Sequence, residues 1–276
     1  MSKNHRLLLL CSVSLVTMVA LTLGVAAKSE EELTRTSLSV NGARPVLIAA
    51  EMLEKEFGWV ITYEDPPYVH ETDLVDVTDE VRKDSQKFKP GQAPRVLVPK
   101  GGELAFEFDI DPATEKPADP ATVIQQLLDA YAFGGHPGIF RLEKDGQRLH
   151  IIAAGVKNKD GVLISRQSLL DTPITVTAQK RNGVELLNAI CAAITQASGT
   201  RVVAGGAPAN LFFRYQTESG AGNQRARDFL TNELDRIGGA AKLTWQLLYA
   251  PDMKTYYLNI HLVSQSGSLT TPAQTH

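Results

Sequence analysis

Two histidines sit in matching apolar contexts, Leu149-His150-Ile151-Ile152 and Ile260-His261-Leu262-Val263. Imidazole changes charge near neutral pH and serves as acid, base or metal ligand, so this pair is the first place to look for chemistry. Each alternates with apolar neighbours on an expected strand, and the two lie in different parts of the chain, which favours two packed histidines over a shared site. His70, Glu71, Asp73, Asp76 and Asp79 hold enough carboxylate for a hard cation. Their spacing fits no calcium loop and includes no glycine for the sharp turn, so they read as a solvated acidic loop suited to a basic partner surface. Gly220-Ala221-Gly222-Asn223 lacks the third glycine and the lysine of a phosphate loop, and reads as a loop with Asn223 as a helix cap. Nucleophile elbows, P-loops, His-Glu-x-x-His and Cys-x-x-Cys are absent from the sequence, so no cofactor and no metal site is expected.

Aromatic residues form the other candidate. Trp59, Tyr63 and Tyr68 cluster after one helical segment, and Trp245, Tyr249, Tyr256 and Tyr257 cluster near the end of the chain. Trp245 and Tyr249 are four apart on an expected strand and share a face, while adjacent Tyr256 and Tyr257 must face opposite ways. Trp and Tyr are common anchors of protein contacts, and an added partner strand is a plausible mode. Tyr256, Tyr257, Trp245 and Tyr249 are therefore the expected binding residues, on the last hairpin.

The elements that must position these residues come in two similar series. Pro45 opens a helical stripe of Val46, Leu47, Ala50, Leu53 and Phe57, Gly58 closes it, and the β-rich run Trp59-Val60-Ile61-Thr62-Tyr63 follows. Leu186, Leu187, Ile190 and Ile194 form the corresponding stripe, Gly199 stops it, and Thr200-Arg201-Val202-Val203 follows. Asp119-Pro120 opens a second helix ending at Gly134-Gly135, and a helix from Ala226 ends at Gly238-Gly239. A hairpin follows each, turning at Asp145-Gly146 and around Pro251-Asp252. The expected fold is α+β, with two related domains, 38–153 and 173–264, each with two helices on short strands and hairpins. Residues 154–172 would link them, Asp79 to Pro94 would be a long surface loop, and 265–276 a disordered tail.

Lys3 and Arg6 precede an apolar stretch from Leu7 to Leu23, and Gly24-Val25-Ala26-Ala27 supplies small residues before Lys28. This reads as a signal peptide, residues 1–27, with an uncleaved inner-membrane anchor as the alternative. Either way the rest of the chain is exported, and the periplasm is its expected place. Cleavage leaves Cys191 as the single cysteine, in an apolar context that suits burial. The 276 residues carry 28 Lys plus Arg against 31 Asp plus Glu, with 43% hydrophobic residues. That composition allows a packed core, and a net charge of −3 without a basic block gives no electrostatic footprint for nucleic acid.

The helix-Gly-strand runs around Phe57-Gly58-Trp59-Val60-Ile61 and Ser198-Gly199-Thr200-Arg201-Val202-Val203, each with a following helix and hairpin, resemble the secretin and TonB short N-terminal domain. The resemblance implies small βαβ repeats whose work is protein contact in the envelope, by docking or signalling. No secretin ring or barrel domain follows Val263, so partners of the larger proteins do not carry over. The function expected is a non-enzymatic interaction module with an envelope protein as partner, and with the membrane only if the N-terminal segment is uncleaved. Two alternatives stand beside it: an enzyme with an inter-domain site using Asp, Glu and His150 or His261, and a module binding a small ligand or peptidoglycan.

Overall fold

A computed structural model describes residues 33–82, 87 and 94–263. The expected signal peptide, the tail and most of the loop before Pro94 lie outside the described residues. The first series of elements runs β1 (Thr34–Gly42), α1 (Pro45–Phe57), β2 (Val60–Glu64), β3 (Leu74–Asp76), α2 (Thr78–Val81), β4 (Leu97–Pro99), β5 (Gly102–Ile110), α3 (Pro120–Phe133), β6 (Ile139–Asp145) and β7 (Arg148–Lys157). After β8 (Leu163–Ser165) the second runs β9 (Pro173–Val176), β10 (Arg181–Asn182), α4 (Gly183–Ser198), β11 (Arg201–Ala204), α5 (Ala209–Arg214), β12 (Gln216–Thr217), β13 (Ala221–Arg225), α6 (Ala226–Gly238), β14 (Leu243–Ala250) and β15 (Thr255–Leu262).

Local signals set the helix ends. Pro45 occupies the first turn of α1, and Gly58 ends it in the left-handed region at φ 67°. Asp119 accepts from the backbone N–H groups of Ala121 and Thr122 and so caps α3. Asn182 and Glu185 form a reciprocal capping box on α4, which ends at Gly199 with φ 70°. Gly220–Asn223 departs from expectation. Ala221–Arg225 is a strand paired with β9, Asn223 donates its N–H to Thr175 Oγ1, and the residue preceding α6 is Arg225. Pairing with a strand about 50 residues earlier overrides the local glycine signal.

The fold is α+β. Its main sheet has the order β11-β15-β14-β2-β7-β6, with β8 added on β7. In the first series β2 pairs parallel with β7, β7 antiparallel with β6, and β1 antiparallel with β5. In the second, β11 pairs parallel with β15, β15 antiparallel with β14, and β9 antiparallel with β13. The seam is the parallel pairing of β14 with β2, Gln246 beside Tyr63 and Leu247 beside Glu64.

Strand alternation sends the two core clusters to opposite faces of this sheet. Ile61, Tyr63, Leu149 and Ile151 pack with residues of α1 and α3, including Leu53 and Ile124. Trp245, Leu247, Tyr249, Leu258 and Ile260 pack with Leu187 and Ile190 of α4 and Leu230 and Leu234 of α6. Segments 38–153 and 173–264 thus share one sheet, and residues from Leu33 onward form one compact unit. The stretch 154–172, expected as a linker, holds the end of β7, all of β8 and the Leu169–Asp171 turn, whose Leu170 is buried.

Candidate functional site

The last hairpin turns most of its expected binding aromatics inward. Trp245, Tyr249 and Tyr256 are buried, because they occupy the face of β14 and β15 that α4 and α6 cover. Tyr249 lies opposite Tyr256 in register with ring centroids 4.8 Å apart. Tyr257, on the opposite face, is half-buried, and its hydroxyl donates to Met253 Sδ at 3.6 Å. A partner approaching this hairpin would meet Tyr257 alone of the four.

The two histidines do not meet. His150 on β7, Thr62 on β2 and Trp245 on β14 form a row across the sheet, where the His150 and Trp245 rings approach to 5.3 Å over the small Thr62 side chain. His150 Nδ1 is 2.8 Å from Thr62 Oγ1, and burial holds the imidazole pKa down at about 4. His261 faces the other way and contacts Glu54 of α1 at 3.0 Å. The acidic stretch is divided among separate partners. Lys157 donates to the buried Asp73 at 2.7 Å, while Thr78 and Arg95 hold Asp76 at about 2. Among the described residues no group of three or more His, Cys, Asp or Glu is arranged for a metal. Cys191 is buried in α4, and burial pushes its thiol up to about 12.

The structure brings together a polar cluster that no sequence motif marks, at the carboxyl end of β2. Glu64 and Asp65 are adjacent and buried. Arg227 of α6 donates from Nη2 and Nε to Glu64 Oε1 at 2.7 and 3.1 Å, and Ser168 donates to Glu64 Oε2. Arg227 Nη1 reaches Asp171 at 2.7 Å. Asp65 accepts from Arg44 Nε at 2.7 Å, from the Tyr63 hydroxyl at 2.8 Å and from the Tyr249 N–H at 2.9 Å. Burial raises both carboxyl pKa values, and the arginines oppose it. A hint was present in the sequence, since Glu64-Asp65 follows a strand with no polar alternation. The partners on other elements, 21 to 184 positions away, carried none.

On the outside, α3 ends in an aromatic knob. Tyr131 is buried, its hydroxyl donating to the Pro137 carbonyl at 2.5 Å and its ring stacked on His136 at 4.8 Å. Phe133, two residues on and therefore on the far side of the helix, is 96% exposed. Six residues later β6 begins, the terminal strand of the sheet, so its outer backbone edge has no strand partner among the described residues. Ile139 at its head is exposed and lies beside Gly155, whose other neighbour is Ser165 of β8. Leu163 of β8 adds a further exposed apolar side chain. Farther along β6, Arg141, Glu143 and Lys144 are engaged in ion pairs. Charged residues protect an edge from indiscriminate pairing, and here they leave its apolar head open. Compared with known proteins, the chain matches no family model, no curated protein and no solved structure.

Proposed function

We propose that this chain is an exported, non-enzymatic protein-binding module of the cell envelope, built from two copies of a unit resembling the secretin and TonB short N-terminal domain. The observation that carries the reading is Phe133, an almost wholly exposed aromatic at the end of α3, the helix that leads into the open edge strand β6. Burying such a side chain in a partner is worth about 2–3 kcal/mol, and a strand added to β6 would supply backbone hydrogen bonds. The equivalent order of strand pairings in the two segments supports the two-copy reading. Lys3, Arg6 and the apolar run Leu7 to Leu23 support export.

The test is site-specific photo-crosslinking in the native cells. A benzophenone amino acid at Phe133 of the full chain should give a discrete protein adduct that the same label at exposed Asp252 does not give. Adding Ile139→Asp should abolish the adduct without changing the thermal midpoint of the purified protein. The same adducts from both positions, or an adduct indifferent to Ile139→Asp, would overturn the proposal.

A further inference from the structure

At the amino end of β2, a cleft of about 330 Å³ opens between the carboxyl end of α1, the amino end of α3 and the turn from β6 to β7. That size lies within the range of small-ligand sites, about 300 to 1,000 Å³. Val60 and Leu149 are buried in its lining, and Phe57 and Trp59, both half-buried, stack along it with ring centroids 4.7 Å apart. Lys144 of β6 and Lys242, which precedes β14, also line it, and among the described residues no carboxylate does.

Strand alternation makes the charge at this cleft positive. Lys144 shares the face of β6 that sends Phe140 and Leu142 toward α1 and α3, whereas Glu143 and Asp145 point to the other face, where Glu143 meets Arg225 and Arg227. The carboxylate that Lys144 does meet is Asp119, at 3.7 Å, and the oxygens of Asp119 already accept from the Ala121 and Thr122 N–H groups. Asp119 thereby occupies the first free N–H groups of α3, so the lysines and not the helix end carry the positive charge. Lys242 is exposed and makes no ion pair among the described residues. Even with Asp119 set against Lys144, the ammonium of Lys242 is left without a counter-charge beside an apolar, aromatic wall.

From this geometry we infer that the cleft binds a small planar aromatic carboxylate, with its ring against Trp59 and Leu149 and its carboxylate toward Lys144 and Lys242. A flat ring keeps contact with an aromatic wall over its whole face. A cation would meet two ammonium groups there, and a neutral ring would leave them without a counter-charge. Size sets the remaining limit: a cavity of about 150 Å³ holds benzene, so this one has room for about two fused rings and a short acid arm. The cleft and Phe133 lie at opposite ends of the 14-residue α3, about 20 Å apart, and the inference is independent of the protein-binding surface.

Calorimetric titration of the full chain with sodium indole-3-acetate at constant ionic strength tests it, with indole-3-acetamide, tryptamine and sodium acetate as neutral, cationic and ringless counterparts. Indole-3-acetate should bind saturably and raise the thermal midpoint, and each counterpart should bind at least about tenfold more weakly. Lys144→Gln and Lys242→Gln, both at exposed positions, should keep the ligand-free midpoint. They should weaken indole-3-acetate binding about threefold each and about tenfold together, in keeping with the modest worth of exposed charge pairs. In the wild type the Nε1–H resonance of Trp59 should shift with occupancy, while that of the buried Trp245 should not. Absence of saturable binding, equal binding of any counterpart, wild-type affinity in the double variant, or a shift confined to Trp245 would overturn the assignment.

Discussion

At the scale of single residues, burial without charge is the condition His150 must meet. It lies beneath Trp245 with Thr62 as its polar neighbour, and burial together with the nearby Arg227 disfavours the imidazolium. Its folded pKa of about 4 lies below the ordinary 6.5 of the unfolded chain. Between those values the unfolded chain binds a proton that the folded protein refuses. Stability therefore falls as pH drops through this window, by about 3 kcal/mol at its foot, and His150 has no such effect above it. Denaturant unfolding of wild type and His150→Gln at several pH values should show this part of the slope vanish in the variant; parallel curves would refute it. Glu64 and Arg227 meet burial differently, as a charged pair held by Ser168 and Asp171. Both strategies keep polar atoms paired inside the sheet layer, and Trp245 Nε1, buried without a hydrogen-bond partner among the described residues, is an exception.

At the scale of elements, helix boundaries were legible because capping is local. Pro45, Gly58, Asp119 and Gly199 act on backbone groups within a turn of themselves, and the structure places each at a helix end. The box on α4 is the most complete of these caps, with Glu185 accepting from the Asn182 N–H at 2.8 Å and Asn182 accepting from the Glu185 N–H at 3.0 Å. Asn182→Ala should destabilise the protein by about 1 kcal/mol, read as a lower urea midpoint with an unchanged m-value. No loss would mean that packing of Leu186, Leu187 and Ile190 holds α4 without its cap. The strand β13 was not legible, because Gly220-Ala221-Gly222-Asn223 carries turn-forming residues, and its pairing with β9 runs through a register shift at Gly222 and Asn223, the latter left-handed at φ 52°. The last hairpin was legible as a hairpin, but which of its faces met solvent depended on where α4 and α6 lay.

At the scale of the whole molecule, α1 crosses the seam as well as the sheet does. Glu54 meets His261 of β15 and Glu51 accepts from Gln246 of β14, while Arg44 donates to the Tyr249 carbonyl at 2.8 Å. Thr244 of β14 also donates to the Ile61 carbonyl of β2. With so many ties, and a sheet shared between the segments, the protein should unfold in one cooperative step. Scanning calorimetry of the full chain should give a single transition with calorimetric and van't Hoff enthalpies equal; two resolved transitions would show separable domains.

By itself the sequence determined the α+β class, the order of helices and hairpins, and the burial of Cys191, since periodicity, caps and turn residues act over a few positions. Tertiary structure alone decided that the two series share one sheet, that Trp245, Tyr249 and Tyr256 face inward, and that Glu64 and Asp65 find Arg227 and Arg44. Those outcomes depend on which strand stands beside β2. That choice is made by contacts between residues more than 150 positions apart, such as Glu64 with Arg227 and Tyr63 with Gln246, and local spacing carries no information about them.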